Sequence, residues 1–176
     1  MCIRDPRNVI SSMCNHYSMS FNETYTKMID ENASLSVKNS DGDLSNFTFL
    51  GSWSNHYKSW KNYFEFKTLF IKYEDLEENA PDEFWKILTF IEELTGKNES
   101  INKKKFENSI NSTNFSSLKQ KEKLQGFTES LTYKKDNRTN FFNLGFKNKW
   151  QLNLPDEISS KIKNKFFNEL KELKYE

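Results

Sequence analysis

The stretch Met1–Ser12, MCIRDPRNVISS, decides the fold of this chain. A short apolar run ends at Ile3, and Arg4 follows directly. Asp5 and Pro6 stand where a helix begins, because Asp accepts from free backbone N–H groups and Pro suits the first helical position. Ser12 falls two turns further on. Strand, arginine, capped helix and serine together build an anion pocket from a guanidinium, a helix N-terminus and a hydroxyl. A surface turn before a helix uses the same residue types, so the opening alone leaves both readings open. The arginines of the chain are Arg4, Arg7 and Arg138, while its other basic residues are lysines. Arginine kept at this turn in a lysine-rich chain argues for planar, bidentate contact.

Outward from that stretch, the spacing predicts a helix from Pro6 to about Tyr17 and an amphipathic piece from Phe21 to Ile29. Residues 31–46 are polar, contain Asp41-Gly42-Asp43, and read as a loop. Trp53, Tyr57, Trp60 and Phe64 form a helical stripe within 50–64. Thr68-Leu69-Phe70-Ile71 suits a buried parallel strand that ends in a turn at Lys72-Tyr73-Glu74-Asp75-Leu76. Pro81 opens a helix with Phe84, Trp85, Leu88 and Ile91 on one face, and Gly96 stops it. Residues 103–124 read as helical in pieces, and 134–140 as a charged loop. A last helix from Pro155 turns Ile158, Ile162, Phe166 and Leu170 inward. Apolar strands bordered by turns and alternating with helices indicate an α/β architecture. One internal strand and the stub Met1-Cys2-Ile3 are fewer strands than a parallel sheet needs.

Composition narrows the function classes. The 176 residues suit one domain or part of one, and the net charge of +1 gives no global field for nucleic acid or an acidic membrane. Aromatic residues reach 15%, with 16 Phe, so the core must be aromatic-rich. Cys2 and Cys14 supply neither a disulfide framework nor metal-ligand spacing. No run is long enough for a membrane span and no signal-type segment is present, which makes a cytoplasmic setting the expectation. The Asn-x-Ser/Thr triplets at Asn22 and Asn46 are what chance produces in an Asn-rich chain.

With these segments placed, the chain resembles the C-terminal part of the PAPS-dependent sulfotransferases, PAPS being 3′-phosphoadenosine 5′-phosphosulfate. Four blocks occur in the family's order. Arg4 to Ser12 (RDPRNVISS) is similar to its Arg-x7-Ser signature. Gly51-Ser52-Trp53 with His56 and Trp60 is similar to its GSWxxHxxxW segment. Residues 69–88 (LFIKYEDLEENAPDEFWKIL) resemble its strand, YED turn and following helix. Thr113-Asn114-Phe115-Ser116-Ser117-Leu118 and residues 141–150 (FFNLGFKNKW) resemble TSFxxM and FxRKGxxGDW.

The resemblance implies a P-loop-NTPase-like parallel sheet with flanking helices, present only as its C-terminal portion, so that residues 1–176 form a partial sulfotransferase domain. It implies that Arg4 and Ser12 hold the 3′-phosphate, Tyr73 reaches the adenine side, and Thr113 and Phe115 line the adenine pocket. It implies that Gly145 lets backbone N–H groups approach the phosphate. Tyr73 also suits a strand-end aromatic, Phe115 a core position, and Trp53 and Trp60 packing. His16 and His56 are expected to be structural rather than catalytic.

The departures are as informative. Asn143-Leu144 stands where the family has Arg-Lys, leaving Arg138 or Lys147 as replacements, and only Trp150 remains of GDW. The family's dimerisation segment is not recognisable in 151–160, and its 5′-phosphosulfate loop, with catalytic histidine and lysine, is absent from these residues. The expected function is therefore that of a sulfotransferase fragment, inactive alone. It would pass a sulfuryl group from PAPS to a hydroxyl or amine of a small molecule or glycan, with no metal and no nucleic-acid partner. The alternative is a non-catalytic nucleotide-binding or interaction remnant of the same fold. A P-loop kinase relative is disfavoured, because kinases do not need this 3′-phosphate pocket.

Overall fold

In the computed structural model the described residues are 1–35, 47–97, 100–128, 132–134, 137–138 and 140–176. The chain begins with β1 (Cys2–Ile3), α1 (Pro6–Tyr17), α2 (Phe21–Ile29), β2 (Ser34–Leu35), β3 (Thr48–Phe49) and α3 (Trp53–Lys61). It continues with β4 (Ile71–Lys72), α4 (Tyr73–Glu78), α5 (Ala80–Thr95), α6 (Lys103–Ser112) and α7 (Phe115–Gln125). The remaining elements are β5 (Thr132–Lys134), β6 (Asn137–Arg138), a 3-10 turn at Gly145–Lys147, α8 (Trp150–Asn153), α9 (Asp156–Lys165) and α10 (Phe167–Glu172).

Two compact units interleave along the sequence. One holds Met1–Arg4 and Leu69–Asn148; the other holds Asp5–Thr68 and Lys149–Glu176. In the first, β1 and β4 pair in parallel with Cys2 opposite Ile71 and Ile3 opposite Lys72. The amino terminus donates to the Leu69 carbonyl at 2.6 Å and the Ile71 N–H donates to the Met1 carbonyl at 3.0 Å, which lock that register. Ile3 and Ile71 are both buried. A parallel pair this far apart in sequence needs a long crossover, and 5–68 supplies it.

The second unit carries the larger apolar core. Ile158, Ile162, Phe166 and Leu170 recur every fourth residue and meet Ile10 of α1 and Met28 of α2. Each such burial is worth about 1.5–3 kcal/mol. The stripe runs on through the break between α9 and α10, where Phe166 adopts φ −112°. Asp5 caps α1 by accepting the Arg7 N–H at 2.9 Å, with Pro6 at the first helical position. Ser20 and Glu23 form a reciprocal capping box at α2. A third polar device ties the termini: Arg7 spans Asp5 with two nitrogens, pairs with Glu176, donates to the Tyr175 carbonyl at 2.9 Å and lies 4.2 Å from the Trp150 ring centre.

Several expectations need correction. The strand expected from Thr68 is only Ile71–Lys72, and the expected turn after it is a helix, α4, starting at Tyr73. The aromatic stripe of 50–64 is helical only over Trp53–Lys61. Asn62 ends it, so Phe64 lies beyond the helix, 93% exposed. On α5 the sole residue fully buried is Glu83, while Phe84, Trp85 and Ile91 are exposed. The apolar face of Phe84, Trp85, Leu88 and Ile91 forms on one helix as the spacing predicts, and among the described residues it is largely uncovered. The expected loop at 31–46 contains β2, which pairs with β3, and 36–46 lie outside the described residues. The loop expected at 134–140 takes in the end of β5 and all of β6, which pair antiparallel, and 135–136 and 139 lie outside the described residues. No described helix is long and apolar enough to cross a membrane.

Candidate functional site

Arg4 follows β1 directly, as Tyr73 follows β4. Because Ile3 pairs with Lys72, the next residues on the two parallel strands are neighbours. The Arg4 guanidinium carbon sits 4.2 Å from the Tyr73 ring centre, a cation–π contact. Arg4 Nε and Nη2 are buried and have no hydrogen-bond partner among the described residues; Glu77 Oε1, on α4, stands 3.9 Å from Nη2. That pair supplies charge without a hydrogen bond. Burial raises the Tyr73 phenol above its ordinary value and the Glu77 charge adds to it, against the opposing effect of Arg4. The phenol is therefore a neutral donor at physiological pH.

The remaining residues of the expected site in this unit are Thr113, Phe115 and Gly145. Thr113 ends α6, is exposed, and donates through Oγ1 to the Ser109 carbonyl at 2.7 Å. It also borders an apolar cleft of about 590 Å³ with Phe84, Leu88, Phe106 and Ile110. Phe115 opens α7, capped by Asn114, whose side chain accepts the Ser117 N–H at 2.9 Å. Gly145 has φ +56°, and a Cβ there would lie 2.6 Å from the Phe115 ring. Glycine is required at this position twice over, for its backbone angle and for the ring packed where a side chain would be. The structure thus brings Arg4 together with Tyr73, and Phe115 together with Gly145.

Ser12 belongs to the other unit, on α1, where it is exposed; its neighbour Ser11 is buried with an Oγ that has no hydrogen-bond partner among the described residues. Also in that unit, His56, Trp53, Met13 and Tyr17 border a cleft of about 220 Å³. His56 is exposed and His16 packs edge-on against Tyr17 at 4.6 Å between ring centres. Burial pushes both thiols, Cys2 and Cys14, above the ordinary 9.0, so neither is a thiolate nucleophile at neutral pH. Among the described residues no group of three or more His, Cys, Asp or Glu is placed to hold a metal.

Of the two proposed replacements for Arg-Lys, the Arg138 side chain lies outside what is described, and Lys147 is exposed in the 3-10 turn. Sequence reasoning missed Glu77 beside Arg4 and Glu122 of α7. Glu122 is buried and accepts the N–H groups of Phe141 and Phe142 at 2.6 and 2.9 Å. Its position seven residues after Phe115, on the same helical face, was the available signal.

The sulfotransferase domain family model matches residues 1–174. Mouse sulfotransferase SULT7A1, solved in complex with PAP, superposes with a TM-score of 0.61 at 19% sequence identity. The match covers 96% of this chain and 56% of that one, so the chain spans a little over half the length of its structural neighbour. No curated protein matches the chain by sequence. The fold is the P-loop-NTPase-like α/β architecture of the sulfotransferases, and with nearly every residue inside the family match the chain belongs to the sulfotransferase domain family.

Proposed function

We propose that this chain carries the 3′-phosphate and adenine half of a PAPS donor site in a sulfotransferase. Arg4 and Ser12 take the 3′-phosphate, Tyr73, Thr113 and Phe115 face the adenine side, and the backbone around Gly145 approaches the phosphate. One observation carries this reading: a guanidinium whose two buried donor nitrogens have no hydrogen-bond partner among the described residues, held on an aromatic ring at the end of a parallel strand. Buried donors left unmatched cost about 1–3 kcal/mol each, more when charged, so such a group is set for an anion. The donor supplies an activated sulfuryl group; positioning and charge stabilisation by the protein carry the rate. The acceptor is a hydroxyl or amine of a small molecule or glycan.

Calorimetry with adenosine 3′,5′-bisphosphate (PAP) and with 5′-AMP tests the reading. At least tenfold tighter binding of the bisphosphate is expected, and equal affinities would refute the donor-site assignment. A second reading, a non-catalytic nucleotide-binding remnant, draws on Asn143-Leu144 in place of Arg-Lys and on the scarcity of Gly, 5 in the chain, with no Gly-rich phosphate loop. Bisphosphate binding without turnover, in a protein that also includes any preceding in-frame sequence, would favour it.

A further inference from the structure

One face of α7 holds the segment 141–145. Phe115, Lys119 and Glu122 stand at i, i+4 and i+7 and so project from the same side of the helix. The buried Glu122 accepts the Phe141 N–H through Oε1 at 2.6 Å and the Phe142 N–H through Oε2 at 2.9 Å. One turn back, the Lys119 ammonium donates to the Asn143 carbonyl at 2.7 Å. A further turn back, the Phe115 ring lies against Gly145 and meets Phe142 edge-on at 6.0 Å between ring centres. All these residues belong to one unit.

No helix or strand includes residues 141–144, and the Asn143 N–H to Phe141 carbonyl contact at 3.1 Å is a tight local turn. Glu122 therefore does for this segment what a ladder does for a strand: it satisfies adjacent amides and sets their direction. A carboxylate is expensive to bury unless its oxygens accept, and here each oxygen accepts a backbone N–H. The same segment ends in the glycine whose backbone is assigned to the donor phosphate.

We propose that the Phe115–Lys119–Glu122 face of α7 sets the 141–145 segment in its nucleotide-receiving conformation, with Glu122 as a positioning residue acting through the Phe141 and Phe142 amides; this rests on the donor-site reading above. The test compares the protein with its Glu122→Gln and Glu122→Ala variants. Three quantities are read: PAP affinity by calorimetry, amide hydrogen exchange of 141–143, and the denaturation midpoint. Glu122→Ala is expected to lose PAP affinity about tenfold and to exchange the Phe141 and Phe142 amides faster. Glu122→Gln, which keeps one carbonyl acceptor, should fall between, and this graded order at similar midpoints is what a merely structural role would not produce. Unchanged exchange in Glu122→Ala refutes the clamp. Faster exchange with unchanged PAP affinity refutes its link to the site. Absence of PAP binding by the unaltered protein refutes the donor-site reading and the positioning role with it, while the exchange data still report on the clamp.

Discussion

The Arg4 guanidinium rests 4.2 Å from the centre of the Tyr73 ring, though 68 residues of chain separate the two. The parallel register of Ile3 with Lys72 makes them neighbours. The ring covers one face of the cation and leaves its edge, with Nε and Nη2, for hydrogen bonding. In the proposed donor site a planar fork held this way would read a phosphate by two parallel bonds.

Arg4→Ala should therefore abolish most of the preference for PAP over 5′-AMP, a loss of about 2 kcal/mol or more in the bisphosphate complex. Arg4→Lys should recover only part, since an ammonium lacks the fork. Tyr73→Leu, which keeps bulk but not the ring, should weaken PAP binding less than Arg4→Ala. Calorimetry at fixed ionic strength reads all three, and full affinity in Arg4→Lys would contradict the bidentate assignment.

Gly145→Ala places a methyl 2.6 Å from the Phe115 ring at a φ of +56°. The backbone angle alone costs about 1–3 kcal/mol for a residue with a Cβ. Chemical denaturation should show at least that loss, with weaker PAP binding. Adding Phe115→Leu should restore part of the stability by removing the ring from the methyl's path, leaving the backbone cost. No recovery in the double variant would mean that the angle alone decides.

Stability should fall at both ends of the pH scale through one cluster in the 5–68/149–176 unit. The hydrogen bond from Lys61 holds the Glu172 carboxyl below its ordinary 4.5 against the opposing effect of burial, and Tyr57 also donates to it. At Glu169 burial pushes the other way but is outweighed by Lys58 and Ser54, so that carboxyl too is lowered. The folded state binds protons less readily than the unfolded chain at these sites. Their contribution is thus complete above pH 4.5 and lost as pH falls through the lowered values. Tyr57 is pushed up to about 12, by burial first and by its bond to Glu172 next. Its contribution is complete below 10 and is lost as pH rises towards 12. Denaturation midpoints across pH should flatten at the acid end in Glu172→Gln and at the alkaline end in Tyr57→Phe.

Residues 1–176 alone should show no sulfuryl transfer from radiolabelled PAPS to mixed phenol, amine and sugar acceptors. They contain no Gly-rich phosphate loop, and His16 packs edge-on against Tyr17. Turnover above background would require a base among these residues, with His56 the first to substitute.

Exposed aromatic surface should make the purified chain prone to association. Trp60, Tyr63, Phe64 and Phe66 are 48%, 48%, 93% and 68% exposed and follow closely in sequence. Contiguous apolar surface of this kind binds hydrophobic dyes and other chains. Phe64→Ser with Phe66→Ser should lower dye binding and raise the concentration at which light scattering appears. A sharp, concentration-independent melt of the unaltered chain would contradict the expectation.

Local chemistry was legible in the residues themselves. Asp5 and Pro6 start α1 and Gly96 ends α5 in the left-handed conformation, because caps act over a single turn. The four-residue repeat from Ile158 to Leu170 announced its buried face, since only one side of a helix can carry it. What pairs with what was another matter. The apolar pattern of Phe84, Trp85, Leu88 and Ile91 on α5 looks the same whether its face is covered or open, and among the described residues it is largely open. The place of Glu122 seven residues after Phe115 marks the helical face it shares but not the Phe141 and Phe142 amides it accepts, and nothing near Glu77 marks it as the neighbour of Arg4. Hydrogen bonds and ion pairs between distant segments depend on register and helix placement, which composition and periodicity do not encode. The sequence by itself determined the caps, the helical faces and the residue types of an anion site. Only tertiary structure, through the parallel register of β1 on β4, decided that Arg4 would meet Tyr73 with its hydrogen-bonding edge unspent.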